Sequence, residues 1–243
     1  MEDKACVVFG GSYGGMLAAW LRLKHPNTFQ GALAASAPFL YFEDAPSAPS
    51  FGYGDITTED FKTQLEKSPD LIKEAWEALV SSTSDQYAEM SAIFNTCTPI
   101  ESSADTYNLY YHYSAAYQFM AMTDYPYPAN FLEPMPAWPI KEAVKAFVDI
   151  PTAEEYKIEQ TIAREASVNA QRQLSFADML SGVFSNEEPK STLSSRDATL
   201  FQAIATSTNV YFNYTENYPC TNISDASGEG NLDGYGWNIL ACN

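Results

Sequence analysis

Ala5-Cys6-Val7-Val8-Phe9-Gly10-Gly11-Ser12-Tyr13-Gly14-Gly15-Met16-Leu17-Ala18-Ala19-Trp20-Leu21 is the stretch that decides the fold. Its unbroken apolar run, Ala5 to Phe9, predicts a strand buried on both faces, with Cys6 as a small buried hydrophobe. The glycine-rich run Gly10–Gly15 breaks that strand, and Met16 to Leu21 open a helix. The helix turns polar at Arg22, Lys24 and His25, cations suited to the negative end of its dipole, and Pro26 stops it. Gly31-Ala32-Leu33-Ala34-Ala35-Ser36 reads as a second buried strand, ended by Pro38. Strand, helix and strand together predict one right-handed βαβ crossover with parallel strands.

Beyond Phe42 the texture changes. Residues 43–54 are rich in Pro, Ser, Gly and Ala, the composition of a loop. Ser68-Pro69-Asp70 predicts a helix start with Ser68 as N-cap, followed by Leu71, Ile72, Ala75, Trp76 and Leu79 on one face. Ser102-x-x-Asp105 resembles a capping box ahead of a long aromatic helix through Met122, and Thr152-x-x-Glu155 is a second one. Between them Pro126, Pro128, Pro134, Pro136 and Pro139 predict a rigid connector, with helix resuming at Ile140. From Thr152 to about Tyr211 the pattern is helical and polar, interrupted near Gly182 to Ser195, and the tail from Pro219 to Gly236 is turn-rich. There is no internal repeat. A βαβ fragment is therefore followed by a helical region.

The chain has 243 residues, with 13 Lys and Arg against 31 Asp and Glu, a net charge of −18. That excess repels phosphate backbones and anionic bilayers, so neither nucleic acid nor membrane is an expected partner. Hydrophobic residues at 46% supply a packed core, and no run reaches the roughly 18 apolar residues of a membrane span. Met1-Glu2-Asp3-Lys4 lacks the basic flank and apolar stretch of a signal peptide, and the chain enters a strand at once, an unusual start. Cys6, Cys97, Cys220 and Cys242 form no C-x-x-C pair, and no metal site or cofactor is expected. Asn213-Tyr214-Thr215 and Asn222-Ile223-Ser224 are glycosylation sequons, a pattern that also arises by chance.

Gly10-Gly11-Ser12-Tyr13-Gly14 matches G-x-S-x-G in the strand-to-helix context of a nucleophile elbow. In that geometry Ser12 sits in a strained turn above the sheet, small residues flank it, and the helix behind aims N–H groups at the reacting centre. The N–H of Tyr13 is the expected oxyanion donor. Two other readings stand beside this one. A dinucleotide fingerprint would need glycine in place of Ser12 and an acidic residue after the next strand. A plain glycine-rich turn would only pack helix against strand. The elbow needs a base, and the chain has two histidines. His25 lies about 20 Å along the helix from Ser12, and His112, among Tyr110, Tyr111, Tyr113 and Tyr117, reads as a packing residue. The catalytic Asp and His are expected outside this chain.

These residues resemble a family. Gly10 to Trp20 with Gly31 to Pro38 resembles the nucleophile region of the S28 serine peptidases, proline-directed carboxypeptidases and dipeptidyl peptidases. Three further blocks follow in order: Met122 to Pro128 with Asn130-Phe131-Leu132 and Pro136 to Ile140; Cys220 to Ser224; and Gly236 to Cys242. The resemblance implies an α/β fold: a partial α/β-hydrolase core over 1–42, an inserted helical cap over 43–211, and a return segment over 212–243. It implies Ser12 as nucleophile, the Tyr13 amide as oxyanion donor and Met16 in the proline pocket, where plain helix packing is the other reading. It implies pairing of Cys97 with Cys220, and of Cys242 with a cysteine beyond Asn243. Expected substrates are peptides with proline near a terminus, a homodimer is admitted, and the location is lysosomal, vacuolar or secreted. The implied activity is of the prolyl carboxypeptidase type, towards which Pro136-Ala137-Trp138-Pro139 leans. A dipeptidyl peptidase II-like enzyme and a non-catalytic remnant are the alternatives. Truncation at both ends is expected to leave these residues inactive alone. The stretch at about 152–200 looks longer than in the animal enzymes.

Overall fold

The structure, a computed structural model, describes residues 4–39, 52–173 and 192–223. The chain divides into two compact units, residues 1–55 and 56–243.

The first unit is built on β1 (Val7–Gly11), α1 (Tyr13–Lys24) and β2 (Gly31–Ala35). The strands are parallel, with Val7 opposite Gly31 and Gly11 opposite Ala35. α1 ends where His25 N–H reaches back to the Leu21 carbonyl at 2.9 Å, with Arg22 and Lys24 in the last turn. Three expectations are corrected here. β1 starts two residues later than the apolar run, and Cys6 is exposed with a free thiol. Its backbone is held instead by Gln30: Cys6 N donates to Oε1 at 2.7 Å, and Gln30 N donates to the Cys6 carbonyl at 2.9 Å. Nor are the strands buried on both faces. Phe9 is 69% exposed, and Val7 and Leu33 are also open, because among the described residues β1 and β2 pair only with each other. α1 buries Gly15, Met16 and Ala18.

The second unit is helical: α2 (Gly52–Gln64, most of which lies here), α3 (Ser68–Val80), α4 (Tyr87–Ile93), α5 (Ser103–Met122), α6 (Pro139–Ala143), a 3-10 turn (Val144–Phe147), α7 (Ala153–Gln173) and α8 (Ser195–Phe212). α8 is the central element and packs against α3, α4, α5 and α6. Its buried Leu200, Phe201, Ile204 and Tyr211 meet Phe61, Leu79, Phe94, Tyr113 and Phe147 in one core. Aromatic edges knit that core, as where Trp76 meets Tyr110 at 5.3 Å and Phe61 meets Tyr117 at 5.1 Å between ring centres. The proline-rich connector is more than a spacer. It folds a short hairpin, β3 (Ala129–Asn130) and β4 (Pro134–Met135), whose edge position tolerates a proline lacking an N–H.

Both capping boxes form. Ser102 Oγ accepts from Asp105 N, and the Asp105 carboxylate accepts from Ser102 N at 2.9 Å. Thr152 N donates to the Glu155 carboxylate at 2.7 Å, and Glu155 N to Thr152 Oγ1 at 3.3 Å. Ser68, by contrast, is not an N-cap. Lys67 is already helical there, so the buried Ser68 hydroxyl donates to the Phe61 carbonyl at 3.1 Å and ties α3 to α2. Lys67 Nζ donates to the Val148 and Ile150 carbonyls at 2.8 and 2.6 Å. Arg196 fastens three elements: its guanidinium forks onto Glu74 of α3 at 2.9 and 2.7 Å, donates to the Pro151 carbonyl at 2.7 Å, and lies 5.1 Å over the Tyr156 ring of α7. The expected interruption near Gly182 falls largely, and Gly236 to Cys242 wholly, outside the described residues. Among the described residues no helix is long and apolar enough to cross a membrane, and no three metal-ligating side chains gather.

Candidate active site

Ser12 occupies the single residue between β1 and α1, with φ 53° and ψ −125°. Positive φ is costly for a residue with a Cβ, and it persists only where neighbours enforce it. Here they do. Ser12 N donates to the Ala35 carbonyl at 3.0 Å, and its own carbonyl accepts from Gly15 N at 2.9 Å and Met16 N at 3.2 Å. The main chain is pinned on both sides while the residue stays exposed at the carboxyl ends of parallel strands, where α/β sheets place their sites.

Two of the four glycines are dictated by packing. A Cβ on Gly10 would stand 1.9 Å from the Gly14 carbonyl oxygen, and one on Gly15 would stand 2.7 Å from that of Ala35. Gly11 and Gly14 would meet nothing within 4 Å. The close approach of Gly10 to Gly14 makes the turn sharp enough to lift Ser12, and Gly15 lets α1 lie against β2. Tyr13 opens α1, so its amide belongs to the positive end of the helix dipole. Met16 is buried one turn on. Ser12, Tyr13 and Met16 therefore share one end of one helix.

The two histidines lie in different units. His25 caps the far end of α1, about 20 Å from Ser12 by helix rise. His112 is buried in the helical unit, its ring stacked on Phe212 at 3.9 Å and edge-on to Tyr113 at 5.2 Å. No Asp or Glu occurs between Lys4 and Phe39. Within Lys4 to Phe39, Ser12 thus has no carboxylate, and the one imidazole there lies at the far end of α1. The acidic residue that a dinucleotide site would want after β2 is also missing, since Ser36 stands there. Ser36 was not singled out by sequence reasoning, although its place immediately after a strand paired with β1 marks it. Its φ is 48°.

In the helical unit Cys97 and Cys220 form a disulfide, 123 residues apart in sequence. Cys97 N donates to the Thr221 carbonyl and Thr221 N to the Asn95 carbonyl, both at 2.8 Å. Thr221 Oγ1 donates to the Phe94 carbonyl at 3.0 Å and lies 3.3 Å from the Tyr113 hydroxyl. Burial pushes the Tyr113 phenol up to about 12, which keeps it neutral. Of the two sequon asparagines, Asn222 is exposed beside the disulfide, whereas the Asn213 amide clamps Tyr218, donating to its carbonyl at 2.9 Å and accepting from its N–H at 3.0 Å.

The profile of the serine carboxypeptidase S28 family matches residues 1–218. The chain belongs to that family. Lysosomal Pro-X carboxypeptidase of Homo sapiens is 32% identical over 243 residues, which cover 99% of this chain and 40% of that protein. The Bos taurus protein of the same name is 31% identical over the same share of both chains. Prolyl carboxy peptidase like protein 5 of Caenorhabditis elegans is 38% identical over 149 residues, 60% of this chain and 29% of that one. This S28 chain spans about two-fifths of the length of the lysosomal relatives it matches. The family is of α/β-hydrolase type, and this chain is mostly helical with few strands.

Proposed function

We propose that this chain carries the nucleophile of a serine-type exopeptidase of the prolyl carboxypeptidase type. The observation that carries the proposal is Ser12, exposed at positive φ with its main chain pinned by Ala35, Gly15 and Met16. In this reading Ser12 Oγ attacks the carbonyl carbon beside proline while a base takes its proton. The carbonyl oxygen becomes an oxyanion facing the Tyr13 amide at the start of α1. Collapse expels the amine, which takes the proton back, and water then hydrolyses the acyl ester. Met16 lines the pocket for the proline ring. The His and Asp that complete the set come from sequence outside these residues, so these residues alone do not turn over substrate. Residues 1–42 act as part of the hydrolase core, 43–211 as its cap and 212–243 as the return to it. The names of the relatives support a lysosomal location and peptides bearing proline near a terminus as substrates. Asn222, exposed, is the better placed glycosylation acceptor, with Asn213 the second.

The test uses the protein expressed from its whole reading frame. Ser12→Ala should abolish hydrolysis of amino-blocked Pro-X dipeptides and labelling by a fluorophosphonate, leaving the thermal midpoint within a few degrees. Turnover that survives the substitution would refute the proposal. Preference for X-Pro amides with a free amino terminus would move the reading to the dipeptidyl peptidase side of the family.

A further inference from the structure

Ser36 lies one step beyond the β1–β2 register, as Ser12 does, and like Ser12 has a positive φ. The parallel register pairs Gly11 with Ala35, so one further step sets Ser36 next to Ser12 at the carboxyl ends of β2 and β1. Both carry positive φ, 53° at Ser12 and 48° at Ser36. The peptide that joins Ala35 to Ser36 holds the turn, because its carbonyl accepts the Ser12 N–H at 3.0 Å. Ser36 is exposed, and its side chain makes no hydrogen bond to another described residue. Glycine adopts such a φ freely and serine does not. A serine here retains a hydroxyl against a local conformational cost, with no bond among the described residues to offset it.

We infer that Ser36 is a specificity-determining residue, its hydroxyl hydrogen-bonding a main-chain carbonyl or carboxylate of the peptide within one residue of the scissile bond. This rests on the acyl-transfer reading of Ser12. The spacing fits. Neighbouring strands lie about 4.8 Å apart, and an extended peptide advances about 3.3–3.6 Å per residue. With the scissile carbonyl over Ser12, the next main-chain oxygen of the substrate falls in reach of a hydroxyl one strand away. The oxygen of a peptide accepts and the serine O–H donates, so no charge is required, which suits a stretch without carboxylate between Lys4 and Phe39.

Two substitutions separate the hydroxyl from the backbone. Ser36→Gly removes the hydroxyl and relieves the positive φ, whereas Ser36→Ala removes the hydroxyl and keeps the strain. In the protein from the whole reading frame, both should lower kcat/KM on prolyl peptides by about tenfold, the value of one hydrogen bond, chiefly through KM. The fluorophosphonate, which has no flanking residue, should lose much less in its labelling rate. Peptide hydrolysis that Ser36→Gly leaves intact, with Ser12→Ala inactive, overturns the role of Ser36 and spares that of Ser12. Equal losses on peptide and probe also overturn it, since the effect would then lie in Ser12 itself. Turnover that persists in Ser12→Ala overturns both.

Discussion

At the scale of single residues the elbow divides its glycines into two kinds. Gly10→Ala would drive a Cβ into the Gly14 carbonyl at 1.9 Å, and Gly15→Ala would press on Ala35 at 2.7 Å, backbone that cannot swing aside. Each should destabilise the first unit by at least the 1–3 kcal/mol typical of overpacking, roughly speaking, and displace Ser12. Gly11→Ala and Gly14→Ala meet open space and should be tolerated by the fold. Labelling of Ser12 together with hydrogen exchange on β1 would check this, and equal tolerance at Gly10 and Gly14 would contradict it. The motif G-x-S-x-G names Gly10 and Gly14 and passes over Gly11 and Gly15, because it encodes a turn and not which carbon meets which oxygen. Ser36 was hidden for a related reason: a dihedral angle leaves no compositional trace. Cys6 failed as a buried hydrophobe because residue type predicts burial only when a neighbouring element covers the position.

Among the elements, the helices with strong local signals were the legible ones. Ser102 with Asp105, and Thr152 with Glu155, mark helix starts through an interaction that spans three residues, so sequence alone contains it. Ser68 shows the limit, since a long-range partner, the Phe61 carbonyl, competes for the hydroxyl. The Arg196 fork lies still further out of sequence view, with Glu74 122 residues away and Pro151 and Tyr156 between them. It also carries a clear energetic expectation. The Arg196 side chain is 8% exposed and that of Glu74 31%, so removing the guanidinium takes the donors from a partly solvated carboxylate and from the Pro151 carbonyl. Arg196→Ala should cost about 2–3 kcal/mol, and Arg196→Lys most of that, because an ammonium cannot match the two-pronged geometry. Paired substitution of Arg196 and Glu74 by apolar residues should recover much of the loss. Urea midpoints of the singles and the double would decide, and a single Arg196→Ala within 1 kcal/mol of wild type, about the value of an exposed pair, would sink the idea.

Over the whole molecule, 31 carboxyl side chains against 13 cations make pH the variable to which stability should respond most. Four of the described carboxyls are shifted, two in each direction. Glu133, buried to 6% exposure in the β3–β4 loop with no hydrogen bond to another described residue, is pushed up by desolvation. Asp124 is also raised, by desolvation first and then by the nearby Asp60 charge, against the Ile140 N–H that it accepts. A carboxyl raised in the fold favours the folded state most below its unfolded pKa, about 4, and that advantage is lost as pH climbs through the folded value. Asp105 and Glu155 run the other way. Hydrogen bonds in the capping boxes hold both down, so their contribution is present above the unfolded pKa and is lost as pH falls through the folded one. Self-repulsion at a net charge of −18 adds to the first trend, since it weakens as carboxylates take up protons. Stability should therefore increase from neutral pH towards about pH 5 and fall again below about pH 4, once the capping carboxylates titrate. Glu133→Gln should raise the urea midpoint at about pH 7.5 and change it little at about pH 4.5, because it fixes the neutral form that acid produces. A midpoint that rises steadily from acid to neutral pH would show that paired carboxylates govern this fold.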